Sequence, residues 1–148
     1  MSDEPLSLAL KALEQKERTV AEMGSWLRAR GVEPNEVEDV VDRLICDGVL
    51  DDGRYAQRYA EDKRQIKRWG NGRIRAALLD RGISAEDAEQ ALGEADGGQE
   101  IERALELLGD RGAALTDALE RQRALALLVR RGYDSEVAYE AIRQARHA

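Results

Sequence analysis

Between residues 53 and 81 nine basic side chains stand against three acidic ones, a local charge of +6 in a chain whose net charge is −7. Arg54, Arg58, Lys63, Arg64, Lys67, Arg68, Arg73 and Arg75 lie in this stretch. A row of cations can track a phosphate backbone, releasing its condensed counterions, or fit an acidic protein groove. On a helical wheel of about 100° per residue, Arg54, Arg58, Arg64 and Arg68 fall opposite Tyr55, Tyr59 and Ile66. Lys63 and Lys67 flank that apolar stripe, and Arg73 and Arg75 follow on the next helix. Residues 111–148 are mildly basic and add Arg121, Arg123, Arg130 and Arg131 as weaker candidates, whereas 1–52 and 82–110 are acidic. The competing reading is a solvated helix face, where Glu61 and Asp62 partly neutralise their neighbours. No exposed aromatics interleave with these cations and no recognition-helix motif is present, so nothing indicates sequence-specific readout of bases.

Catalytic chemistry finds little support. The single histidine, His147, stands next to the chain end. There is no His/Cys cluster with metal-ligand spacing, no Ser-His arrangement in a fixed core, and no glycine-rich loop after a strand. Trp69-Gly70-Asn71-Gly72 lacks the lysine of a phosphate loop and reads as a turn. Asp51-Asp52 reads as helix capping. The expectation is a non-enzyme with no cofactor and no metal. Cys46, the lone cysteine, cannot pair within the chain and reads as a buried or half-buried structural thiol in a reducing cytoplasm. The acidic start, Met1-Ser2-Asp3-Glu4-Pro5, lacks a signal-peptide pattern, and no apolar run of about 18 residues predicts a membrane span.

The elements that must position the cations are set by a repeat. Leu27…Arg30-Gly31-Val32 returns as Leu78…Arg81-Gly82-Ile83 and as Leu128…Arg131-Gly132-Tyr133, with the glycines 51 and 50 residues apart. Such a period means one structural unit copied in a row. Apolar residues at helical spacing flank each glycine: Met23, Ile74 and Ala124 before it, then Val37, Val40, Val41 and Leu44, or Ala88, Ala91, Leu92 and Ala95, or Ala138, Ala141, Ile142 and Ala145 after it. Each glycine therefore ends one amphipathic helix as its left-handed C′ residue, with an arginine at the negative end of the dipole. The next helix opens on Ser84 (with Asp87 completing a capping box) or Asp134, and in the first copy on Pro34 behind a poor cap, Glu33. Thr19-Val20-Ala21-Glu22 is a capping box for the helix before Gly31.

A further helix precedes each pair, carrying Leu6, Leu8, Ala9, Leu10, Ala12 and Leu13, then Tyr55, Ala56, Tyr59, Ala60 and Ile66, then Ile101, Ala104, Leu105, Leu107 and Leu108. The spacing thus predicts an all-α chain of three tandem three-helix repeats, 5–47, 51–96 and 98–147, with no sheet. Each triplet alone owns a thin core, rich in Ala and Leu and without Phe. Neighbouring triplets should pack on one another in an elongated array that is free to curve.

The string Gly48-Val49-Leu50-Asp51-Asp52-Gly53-Arg54-Tyr55-Ala56, with Trp69-Gly70, Arg81-Gly82-Ile83 and Arg131-Gly132-Tyr133, resembles the RecX regulatory proteins over about residues 6–146. Tyr55 and Tyr133 stand where phenylalanine is common in that family, and this chain is less basic than many members. The resemblance implies a non-enzymatic, monomeric, cytoplasmic modulator of the RecA recombinase, acting in DNA repair, recombination regulation and the SOS response. It implies binding to RecA filaments on single-stranded DNA, and restraint of ATP hydrolysis, filament extension and strand exchange. Two other functions fit the residues: a helical scaffold for an unrelated protein, and a stand-alone nucleic-acid binder built from helix-turn-helix-like pairs. The helix over 84–95 argues against the last, since Glu86, Asp87, Glu89 and Glu94 would repel phosphates.

Overall fold

The computed structural model describes residues 4–93 and 97–147. Nine α-helices are seen among them: α1 Glu4–Gln15, α2 Val20–Ala29, α3 Pro34–Cys46, α4 Asp52–Asp62, α5 Asn71–Asp80, α6 Ala85–Leu92, α7 Gly97–Leu108, α8 Ala118–Arg130 and α9 Ser135–Arg146. A π-helical turn, Lys63–Lys67, prolongs α4, and a 3₁₀ segment, Gly109–Thr116, joins α7 to α8. No strand occurs among the described residues. The expected stripe position Ala95, the expected acidic residue Glu94, the expected repeat boundary at 96, and Met1 to Asp3 lie outside the described residues.

The caps form as the sequence predicts. Thr19 and Glu22 make a reciprocal capping box at α2. The Ser84 hydroxyl accepts from the Asp87 N–H at 3.1 Å, and the Asp134 carboxylate from the Val137 N–H at 2.9 Å. Glu33 makes no side-chain cap, and Pro34 fills the first turn of α3. Each Arg-Gly phrase closes a helix: φ is +83° at Gly31, +86° at Gly82 and +100° at Gly132. The following N–H of Val32, Ile83 or Tyr133 reaches back five residues to Leu27, Leu78 or Leu128.

The chain forms two compact units, Met1–Arg58 with Leu78–Ala91, and Tyr59–Ala77 with Leu92–Ala148. In the first, Ala9, Ala12, Met23, Leu27, Val37, Val40, Leu44 and Leu50 form a buried cluster. In the second, Ala104, Leu108, Leu115, Ala124, Leu128, Tyr133, Ala138, Ala141 and Ile142 do so. Each fully buried leucine contributes about 1.5–3 kcal/mol. The alanines let the helices approach closely.

Inside each unit the same joint recurs. In the first, the Arg81-Gly82 turn sits on the first turn of α2. The buried Thr19 hydroxyl donates to the Arg81 carbonyl at 2.8 Å, and a Cβ on Gly82 would overlap that of Ala21. The Asp52 carboxylate accepts from the Val20 N–H at 2.8 Å, occupying a donor that α2 cannot satisfy itself. In the second unit the Arg131-Gly132 turn sits on the first turn of α5. Here the Gly70 N–H donates to the Arg131 carbonyl at 2.6 Å, and the Gly72 N–H to the Gly132 carbonyl at 3.0 Å. Buried Glu100 accepts from the Asn71 N–H at 3.1 Å. A Cβ on Gly132 would stand 2.6 Å from the Arg73 nitrogen, and one on Gly70 2.6 Å from that of Tyr133. The glycines do more than end helices: Gly82 makes room for the Ala21 methyl group, and Gly132 lets backbone meet backbone.

Two sequence expectations fail. Cys46 is exposed rather than buried: as the last residue of α3 it points away from the stripe that ends at Leu44. Ile66, expected on the apolar stripe, is 74% exposed. It lies in the π turn, whose wider winding rotates every later side chain relative to a continuous α-helix.

Candidate functional site

The phase slip re-sorts the predicted cations. Arg64, expected opposite the apolar stripe, turns inward. Its guanidinium donates to the Asn71 side chain and to the Leu92 carbonyl, each at 2.8 Å. Its buried Nε finds no partner, and burial with Arg103 nearby pulls its pKa below the usual arginine value. Arg64 is therefore a structural link rather than a free surface charge.

Three more candidates are turned to helix-end carbonyls, where a cation suits the dipole. Arg54 donates to Gly48 at 3.1 Å. Arg121 donates to Leu115 at 2.9 Å and Thr116 at 2.8 Å. Arg131 donates to Lys67 at 2.7 Å. Three are paired with carboxylates: Arg58 with Glu17 at 3.6 Å, Arg68 with Glu106 at 2.8 Å and Arg123 with Glu120 at 2.8 Å. Arg75 is half-buried on α5 and is also engaged.

Of what remains, Lys63 and Arg73 pack against Trp69 in the second unit. The Lys63 ammonium lies 4.9 Å from the Trp69 ring centre and 5.3 Å from that of Tyr59. The Arg73 guanidinium lies 4.2 Å from the Trp69 centre and also donates to the Arg130 carbonyl at 3.1 Å. Tyr59 and Trp69 meet edge to face, with centroids 6.5 Å apart. The Tyr133 hydroxyl donates to the Arg68 carbonyl at 3.2 Å, which steadies the one non-glycine residue at positive φ among those described, Arg68 at +59°. Among the described residues Lys63, Lys67, Arg73 and Arg130 have no carboxylate within 4 Å. Two half-buried aromatics, Tyr59 and Trp69, thus stand among the cations. Their signal was present in Tyr59…Lys63…Trp69…Arg73, but a loop and a turn of unforeseen winding separate them. A cation held on an aromatic face keeps its charge, which makes Lys63 and Arg73 candidates for contact with an anion.

Residues 6–44 match the first three-helix domain of RecX, and residues 51–92 match the second. The regulatory protein RecX of Leptothrix cholodnii is 36% identical over 140 residues, covering 94% of this chain and 87% of that protein. That of Deinococcus radiodurans is 35% identical over 140 residues, covering 94% and 67%. The chain belongs to the RecX family. The crystal structure of RecX from Lactobacillus salivarius superposes with a TM-score of 0.88 at 19% identity over 99% of this chain and 97% of that one, which shows a shared fold. The RecX relatives are named as regulatory proteins.

Most residues that carry the family resemblance build the scaffold. Leu50 and Ala56 are buried. Gly48, at φ +74°, turns the chain out of α3. Asp51 caps α4 by accepting from the Arg54 N–H at 3.1 Å, and Asp52 holds α2. Tyr55 faces Arg81, hydroxyl to guanidinium at 3.5 Å. Gly70, Gly82, Gly132 and Tyr133 make the joints. No group of three His, Cys, Asp or Glu able to hold a metal occurs among the described residues, and no helix there is long and apolar enough to cross a membrane.

Proposed function

We propose that this chain is a non-enzymatic, cytoplasmic, monomeric modulator that binds RecA filaments on single-stranded DNA and restrains their ATP hydrolysis, extension and strand exchange. Family membership supports a regulatory role, and the single observation that supports the contact is the set of cations in the second unit that no described carboxylate neutralises, two of them, Lys63 and Arg73, on Trp69. Lys63, Lys67, Arg73 and Arg130 face DNA phosphates or acidic filament surface, and several weak contacts add through effective concentration along a repetitive partner. The repeats 5–47, 51–96 and 98–147 supply the spacing for that multivalency.

The test is RecA ATPase on single-stranded DNA with the purified chain added. Inhibition is expected, and no effect at several-fold excess removes the proposal. Changing Lys63, Lys67 and Arg130 together to Gln should leave helicity intact, weaken filament binding, and lower the logarithmic salt slope by about 2 if all three meet single-strand phosphates. Arg64 is excluded from that set because its loss would unseat Asn71 and Leu92.

A further inference from the structure

Among the described residues, two of the three Arg-Gly turns are occupied and one is not. A Cβ at Gly82 or Gly132 would collide with the first turn of α2 or α5, but a Cβ at Gly31 would meet nothing within 4 Å. The free turn is nonetheless built like the others: φ at Gly31 is +83°, and the Val32 N–H is bonded to the Leu27 carbonyl at 3.2 Å. Aligned on the glycines, the first copy carries Trp26 where the others carry Ala77 and Leu127. The guanidinium groups of Arg30 and Arg18 lie 4.1 Å and 5.3 Å from the centre of that ring. Tryptophan and arginine are the residues most enriched at the energetic centres of protein interfaces. The unoccupied turn is thus also the one with interface-type side chains beside it.

We propose that Arg30-Gly31-Val32, anchored by Trp26, docks onto the N-terminal turn of a helix in the protein component of the filament. The identity of that partner rests on the proposed function. Its chemistry is read from the two internal joints. The cap position must offer a small donor to the arginine carbonyl, as the Thr19 hydroxyl and the Gly70 N–H do. Two residues on, it must be as small as Ala21 or Gly72 so that the glycine can lie flat. The equivalent helix start of a second copy, that of α8, does not fit. That helix starts three residues earlier relative to the glycine than α2 and α5 do. Glu120 and Gln122 there replace the small residues, so that position is already covered by helix.

The decisive variant is Gly31→Asn. Asparagine tolerates the left-handed region and here projects into open space, so melting should move by no more than about 3 °C. Its side chain should block docking. Binding of the fluorescently labelled chain to RecA filaments on poly(dT) is expected to weaken about tenfold or more, one order of magnitude being about 1.4 kcal/mol. The deficit should persist at raised salt, unlike that of the Lys63/Lys67/Arg130 variant. Trp26→Leu, the residue of the third copy, should weaken binding in the same salt-independent way. In the wild type, deuterium uptake over residues 28–33 should slow on the filament, a readout that needs no variant. Failure of the wild type to bind overturns the filament reading and this inference together. Wild-type binding with unchanged affinity in Gly31→Asn, or unchanged uptake over 28–33, overturns the docking alone.

Discussion

At the joint around Gly82 the arginine carbonyl is met by a side chain, the Thr19 hydroxyl; at the joint around Gly132 it is met by backbone, the Gly70 N–H. The acceptor on the next helical N–H is Asp52 in one and Glu100 in the other. What the copies share is position and hydrogen-bond sense, not residue type. The charges differ more. Arg81 finds Glu22 across its joint at 3.4 Å, whereas the residue aligned with Glu22 in the second joint is Arg73. There Arg131 turns away to the Lys67 carbonyl, and Arg73 is left to lie on Trp69. One joint neutralises its cations internally and the other displays them, which is why the candidate site falls in the second unit. Arg81 set against Arg73 would bring two cations together, which opposes exchange between the joints.

The joints are most sharply broken by adding a methyl group. Gly132→Ala and Gly82→Ala combine a left-handed backbone with direct overlap and should each cost about 2–5 kcal/mol, measured by urea unfolding. Gly31→Ala carries only the backbone part, about 1–2 kcal/mol. Equal costs at all three glycines would show that the turns are mere helix ends. Next in size, Gly70→Ala should cost about 1–3 kcal/mol through contact with Tyr133 and Gly132. Thr19→Ala loses a buried bond and a cap for about 1–2 kcal/mol, while Thr19→Ser should be nearly silent.

A smaller effect is expected at Asp52. Burial, more than the neighbouring acids Asp87, Asp51 and Glu22, holds its carboxyl above the usual aspartate value despite the Val20 hydrogen bond. A raised acid costs stability as pH climbs from its unfolded value through its folded one. Asp52→Asn keeps the acceptor and removes that cost, so it should flatten the stability profile in the mildly acidic range. Asp52→Ala should instead lose about 1 kcal/mol. Glu100, ion-paired with Arg103 at 3.4 Å, should respond to Gln with a loss rather than a gain, which would separate the two acceptors.

The least disruptive probe is Tyr133, a residue the first joint lacks because Ile83 stands in its place. Burial, then Glu100, push its phenol up to about 12. Its contribution is whole below about pH 10, the ordinary phenol value, and is lost as pH rises toward the folded value. Absorbance titration should show a late tyrosine step, and Tyr133→Phe should delete it. A late step surviving the change would place the buried phenol elsewhere.

Much of this architecture was readable from residue order. Helix propensity, cap residues and the glycine period are local, and the Thr19 box, the Pro34 start and the left-handed glycines followed from them. The misreadings have two physical sources. A wheel of constant pitch does not hold through Lys63–Lys67, where the chain winds with an extra residue in the turn, so Arg64 and Ile66 exchange their expected environments. The joints, in turn, pair residues some sixty positions apart, and periodicity within a helix carries no information about which distant turn it will meet. The small residues Gly70 and Gly72 beside a helix start were the available sign, since a close approach of backbones explains them better than a turn does.

The first joint closes with Gly82, and the unit it belongs to is complete at Ala91. During synthesis, therefore, α1 to α3 can wait only until α6 has emerged before locking, well ahead of α7 to α9. The stretch Tyr59–Ala77 belongs to the later unit, so it is synthesised before the partners it packs with in α7 to α9. The chain's order of assembly is thus written into where its glycines fall: the inner segment is made early and placed last.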